Sequence, residues 1–254
     1  MIVNKKYIKR HKMGFVYFHW INAVSFFMLL LTALPLYADS FRFLYDTFGA
    51  ATLQYAHRVF AVIFILNPII GLVTAHDGIR RLVKEVVSFG RDDIVFNQKF
   101  PAELIGKEPE GIPPQSFYNG GEKMNILLQA VLWALLVISG AVLWFGDGVV
   151  SPVIRTWMIP LHSICAGFGF AAAIGHIYLA VGVNPDSCHG MLDGTVKASY
   201  AVKHHGKWVE ELVAQSSLTE DEVKKAVEAD ESVEDASVQA RPDQDVQKLL
   251  INKK

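Results

Sequence analysis

Four histidines, His19, His57, His162 and His176, stand inside stretches of sequence that are otherwise almost entirely apolar. Ionisable side chains in such surroundings are costly and by default point to function. His162 and His176 are 14 residues apart, close to four helical turns of ~3.6 residues, so both project from one face about 21 Å apart. Between them lie Ala166, Gly169 and Ala173, at 4-3-4-3 spacing. Small side chains there leave room for flat macrocycles against the helix, and imidazoles facing each other across helices can clamp haem iron from both sides. The competing interpretation is a small-residue packing seam, which Gly167, Ala171 and Gly175 could supply. A seam requires no histidine at either end, so two haems are the better reading.

Holding these imidazoles requires long helices. Of the 254 residues, 52% are hydrophobic and only 19% charged, and the charges cluster outside four apolar runs at about 14–37, 53–75, 124–145 and 157–183. Each run reaches the ~20 residues that cross a bilayer core as a helix. The runs have almost no polar face, which a soluble helical core would need. The first continues past signal-peptide length with no clean cleavage site after it, so it reads as a retained span. A formal net charge of -1 excludes a strongly basic nucleic-acid binder. Two cysteines, Cys165 and Cys188, cannot by themselves hold an iron–sulfur cluster, and no CxxCH motif exists to attach haem covalently. The fold expected is an all-α, integral-membrane four-helix bundle over residues 1–211, with two haems b between its helices. An acidic, flexible cytoplasmic tail follows over 212–254.

Basic residues set the orientation. Lys5, Lys6, Lys9, Arg10 and Lys12 precede the first span, and Arg80, Arg81, Lys84, Arg91, Lys99, Lys107 and Lys123 lie in the middle connection. Lys197, Lys203 and Lys207 follow the last span, whereas the two short connections offer only Arg42 and Arg155. Both termini and the middle loop are therefore expected in the cytoplasm. His19 and His176 then share the cytoplasmic level, and His57 and His162 share the opposite one.

Outside the spans, Ile79, Leu82, Val83 and Val86 beside Arg80, Arg81 and Lys84 predict a helix lying on the membrane surface. Residues 107–115 read as irregular, and Thr219 with Glu222 as a capping box before a short helix around 223–227. His11 belongs to a basic tail, His76 abuts Asp77 at a membrane boundary, and His189 follows Cys188 in a loop. His204 and His205 sit on a basic segment and are expected to be solvated. None of these five is assigned to haem. Arg58, next to His57, could pair with a haem propionate or reach to the interface.

The stretches FHWINA at 18–23, YAHRVFA at 55–61, FYNGGEKMN at 117–125, PLHSICAGFGFAAAIGHIYLA at 160–180 and GMLDGTVKASYAVKHHGKWVEE at 190–211 carry a resemblance. As a set they resemble the cytochrome b, or gamma, subunit of membrane-bound respiratory formate dehydrogenase. The resemblance implies two bis-histidine haems b, ligated by His57/His162 and His19/His176. It also implies a quinone site (menaquinone or ubiquinone) at the inner haem, mapped onto Asn119, Gly121 and the ligand His176. Gly120 departs from the usual Ala of that motif, and Glu122 replaces a commoner Gln. A carboxylate at Glu122 could bind quinone or relay a proton, while the NGG sequence also suits a turn into the third span.

The implied function is electron transfer between a partner iron–sulfur subunit and membrane quinone in the bacterial inner membrane. Substrate oxidation would belong to a separate molybdenum or tungsten subunit, and no nucleic-acid partner is expected. Related hydrogenase subunits also use intramembrane histidines, so the same cytochrome could serve a hydrogenase or another molybdenum/tungsten oxidoreductase. A different class altogether is a haem-free four-span anchor or transporter whose histidines bind metal or protons.

Overall fold

The computed structural model describes residues 2–3, 6–105, 107 and 110–239. Among the described residues, four helices are long and apolar enough to cross a membrane: Met13–Leu36, Ala50–Thr74, Gly120–Phe145 and Pro152–Val183. In element terms, α1 (Met13–Ala33) closes in a 3-10 turn and is followed by the short α2 (Phe43–Phe48) and α3 (Ala50–Thr74). Then come α4 (His76–Val87), α5 (Arg91–Lys99), α6 (Gly120–Phe145) and α7 (Pro152–Tyr178). A π-helical turn, Leu179–Val183, ends the last span. Beyond it lie α8 (His189–Leu192), α9 (Ala198–His204), α10 (Gly206–Ala214) and α11 (Glu220–Gln239).

Local chemistry explains why the third and fourth spans begin before their apolar runs. Asn119 Oδ1 accepts from Glu122 N–H at 2.9 Å, and the Glu122 carboxylate accepts from Asn119 N–H at 2.9 Å. This reciprocal capping box starts α6 at Gly120 rather than near 124. Ser151 Oγ caps α7 by accepting from Ile154 N–H, with Pro152 in the first turn, where its missing N–H costs nothing.

The spans pair as two hairpins, α1 against α3 and α6 against α7. Aromatic contacts tie the hairpins at mid-depth, where Phe64 meets both Phe26 and Trp133, and Trp133 Nε1–H donates to the Phe64 carbonyl at 3.2 Å. Gly169 permits the approach of α1 to α7, because a Cβ there would come within 3.2 Å of the Phe26 ring.

The fold is not purely helical. Strands β1 (Ile2–Val3), β2 (Tyr7–Lys9) and β3 (Thr195–Lys197) form a three-stranded antiparallel sheet that joins the N-terminal segment to the segment after the last span, Ile8 opposite Val196. Strands of two or three residues are too short for alternation to be read from sequence. Ile8 and Val196 anchor a core outside the spans, with Phe117 and Tyr118 from the middle loop, Trp208, Val209 and Leu212 from α10, and Leu218 and Ala226 beyond it. The N-terminal segment, the middle loop and the C-terminal region are thus one packed unit at one end of the bundle.

As expected from its periodicity, α4 is an amphipathic helix outside the spans, and residues 110–119 contain no helix or strand. Thr219 and Glu222 do form a capping box, opening a helix considerably longer than the one expected. The 212–254 stretch is not uniform: Leu212, Leu218 and Ala226 belong to the core. Its remainder from 240 onward lies outside the described residues.

Candidate functional site

The four span histidines meet as two pairs. His19 on α1 faces His176 on α7 with ring centroids 6.2 Å apart, and His57 on α3 faces His162 on α7 at 6.5 Å. The first pair lies toward the end that carries the sheet and the packed core, the second toward the short connections. A metal–imidazole nitrogen bond is about 2.0 Å, so rings at these separations are close enough for each pair to hold one metal ion between them.

The second pair is backed by hydroxyls. Thr32 Oγ1 lies 2.9 Å from the Met28 and Leu29 carbonyls and 2.9 Å from His57 Nδ1. Ser139 repeats the arrangement, with Oγ 2.6 Å from the Leu135 carbonyl and 2.8 Å from His162 Nδ1. Each hydroxyl has one proton; given to the backbone carbonyl, it leaves the oxygen to accept from the imidazole Nδ1–H, the tautomer whose Nε2 lone pair is free for a metal. At His19, Nδ1 is buried without a hydrogen-bond partner. Thr32 and Ser139 were not singled out from sequence, because hydroxyls are ordinary in membrane helices and their relation to the ligands is tertiary.

The stripe between His162 and His176 is inward-facing at Gly169, which is buried, and partly covered at Ala166 and Ala173. Gly167 and Gly175, the alternative seam, have nothing within 4 Å of where a Cβ would stand. Arg58 stacks over Trp144 at 5.3 Å.

Asn119, Gly121 and Glu122 stand at the head of α6, at the same end as His19 and His176. Asn119 is buried and caps the helix. Glu122 does more than cap. Its carboxylate accepts from Arg10 at 3.0 and 3.2 Å, and Arg10 also donates to the Phe117 carbonyl and stacks on Phe117, Tyr118 and Trp208. Beside it, Lys123 is buried against Asp93 at 3.0 Å and Glu85 at 3.5 Å. Arg81 connects Glu85 on its own helix to Glu211 on α10.

Three histidines expected outside any core are buried at this end. His205 is fully buried; its Nδ1–H donates to the Ser116 carbonyl at 3.0 Å, and its Nε2 lies 4.0 Å from Glu122 without a hydrogen-bond partner. Burial, and then the Arg10 charge, push its pKa down to about 3. His204 stacks on Tyr200, and burial followed by the Lys203 charge holds it down to about 4. His11 stacks on Phe15 and is held well below the ordinary histidine range, first by burial and then by Arg10. Their basic sequence neighbourhood suggested solvation. The sheet folds that neighbourhood into an apolar core instead. His76 is exposed and His189 partly covered, each beside an aspartate.

Comparison with known proteins places these residues in a family context. A model of prokaryotic cytochrome b561 matches residues 10–194. The formate dehydrogenase cytochrome b556 subunit of Haemophilus influenzae is 26% identical over 223 residues, covering 87% of this chain and 89% of that protein. The formate dehydrogenase cytochrome b556(fdo) subunit of Escherichia coli K12 is 28% identical over 199 residues, covering 76% and 88%. The nitrate-inducible cytochrome b556(Fdn) subunit from the same organism is 25% identical over 227 residues, covering 87% and 96%.

Proposed function

This chain belongs to the prokaryotic cytochrome b561 family, and on that premise we propose that it is the di-haem membrane subunit of a formate dehydrogenase-type complex. In this role it passes electrons from a partner iron–sulfur subunit to membrane quinone. The observation that carries the reading is the pair of histidine pairs, one toward each end of the bundle, each spaced for one iron.

Haem, when bound, supplies a one-electron ferric/ferrous couple. The protein's part is to hold and insulate. His57 and His162 would hold the haem nearer the partner, and His19 and His176 the haem nearer the packed extramembrane unit. The apolar spans keep water from the path between them. The concentration of basic residues on that unit supports a cytoplasmic position for it and for both termini, in the inner membrane. Quinone would meet the inner haem at the head of α6. The Asn119 side-chain NH2 is a donor suited to a quinone carbonyl, and Gly121 lets the ring approach the backbone. Glu122, fixed by Arg10, sets the charge beside the site. The catalytic molybdenum or tungsten centre and the iron–sulfur clusters would reside on partner chains.

The test is cofactor content. Purified protein should show a reduced haem-b spectrum and a pyridine haemochrome stoichiometry of two per chain. His57→Ala or His162→Ala should remove one haem and leave the other, and His19→Ala or His176→Ala should do the converse. One haem in the wild type, with loss during purification excluded, would defeat the pairing; none would favour an anchor or transporter. Identification of copurifying subunits decides between a formate-oxidising and a hydrogen-oxidising partner.

A further inference from the structure

The two histidine pairs differ in what stands behind the rings. Behind His57 and His162 are two buried hydroxyls, Thr32 and Ser139, each on the helix packed against the ligand's own helix. Each hydroxyl has a backbone carbonyl one turn back to take its proton, so with Nε2 on an iron each oxygen accepts from the imidazole Nδ1–H. Behind His19 there is no such acceptor: its Nδ1 is buried and unpartnered. The same arrangement is built twice, on α1 and on α6, for the two imidazoles of one pair, which makes it a feature of the site.

An acceptor behind a ligating imidazole fixes the ring orientation and raises the electron-donor strength of the ligating nitrogen. Stronger donation favours the ferric over the ferrous ion, and the low dielectric around these buried groups strengthens the effect. We propose that Thr32 and Ser139 are positioning residues that lower the midpoint potential of the His57/His162 haem below that of the His19/His176 haem. With haem held by each pair, one electron would leave the ferrous outer site as the ferric inner site took it up, and no proton would move, because each Nδ1–H would stay on its ring. The asymmetry makes passage toward the quinone end downhill, which the chain's fold alone does not require. The inference rests on the two-haem reading above.

Spectroelectrochemical titration of the purified complex tests it, with His57→Ala used to assign the outer haem. Thr32→Val, which keeps shape but removes the hydroxyl, and Ser139→Ala should each raise the outer potential. Each rise should be on the order of a tenfold change in that haem's ferric/ferrous ratio, about 59 mV for a one-electron couple. The inner potential should stay in place, and Thr32→Ser should retain the native value. If Thr32→Val sheds the outer haem, Ser139→Ala carries the measurement. Two bound haems with unmoved potentials in Ser139→Ala, or in Thr32→Val where it keeps its haem, would reduce these residues to packing and overturn the proposal. A wild type containing no haem would sink the functional reading and this assignment with it.

Discussion

Mild acid should loosen the extramembrane core before it affects the spans. His205 and His204 are neutral when folded, with pKa values pushed down to about 3 and about 4, whereas an unfolded histidine titrates near ~6.5. The sign follows from proton counts: below about pH 6.5 the unfolded chain binds protons that the folded core refuses, so stability falls with pH. The contribution is intact above that pH, erodes as pH drops toward 3 for His205 and 4 for His204, and is constant below. At about pH 5 each histidine has lost roughly 1.5 units of protonation free energy, or about 2 kcal/mol, so the two together cost about 4 kcal/mol. His11 adds in the same direction. Few carboxylates titrate between about pH 7.5 and 5, which isolates the histidines. Denaturant titrations in mild detergent at these two pH values, followed by tryptophan fluorescence, measure the difference. His205→Gln keeps a donor for the Ser116 carbonyl and removes the titration, so it should lose about 2 kcal/mol less than wild type on acidification. An equal loss in variant and wild type would show that His205 is not the titrating group. A wild type as stable at pH 5 as at 7.5 would refute the buried-neutral assignment altogether.

Two further outcomes are expected. Cysteines placed at Arg42 and Asp147 should be labelled from the side opposite to one placed at Lys207; labelling of all three from the cytoplasm would overturn the orientation and exchange the inner and outer pairs. Asn119→Leu should block haem reoxidation by a quinone analogue while both haems stay bound. Glu122→Gln should preserve the cap but leave the Arg10 guanidinium, 3% exposed, without its carboxylate, costing about 3 kcal/mol and shifting the pH profile of reoxidation. Native quinone kinetics in both variants would move the site away from the head of α6.

The spans and the histidine pairs were legible because membrane helices obey a one-dimensional rule. Length, hydropathy and the order of the segments determine depth, and depth alone matched His19 with His176 and His57 with His162. The sheet and its core were illegible for the opposite reason. Ile8 and Val196 stand on opposite sides of all four spans in the sequence, and nothing in either neighbourhood announces the other. Once that pairing forms, Arg10, His11, His204 and His205 are carried inside, although charge-rich segments ordinarily stay in water. The Asn119–Glu122 cap has a signal of its own, since N-x-x-E before an apolar run is capping-box spacing, but the two glycines between them suit a turn equally well.

Placing polar groups in this bundle follows from its solvent. Lipid tails are as apolar as leucine, so the spans gain little by turning Val, Ile and Phe inward. Beside Phe15, Val16, Leu53, Phe64 and Leu132, their buried positions include Ser25 and Thr32 on α1, Asn67 and Gly71 on α3, Ser139 on α6, and Cys165 and Gly169 on α7. Ser25, Thr32 and Ser139 return their hydroxyl protons to their own helix, and Asn67 donates to the Phe18 carbonyl at 2.9 Å, tying α3 to α1 one residue from His19. Small and self-satisfied side chains let the helices approach without filling the space between the hairpins. That leaves the imidazoles as the groups with bonding capacity still directed inward. At the other end the packed extramembrane unit does what lipid cannot: it surrounds Arg10 and Glu122 with aromatic rings and holds a compensated pair of charges at the head of α6. An electron arriving at the His19/His176 level would therefore meet fixed charges and buried imidazoles, whereas at the His57/His162 level it would meet hydroxyls and lipid. On the proposed function, the two ends of one helix, α7, would serve different halves of the same transfer.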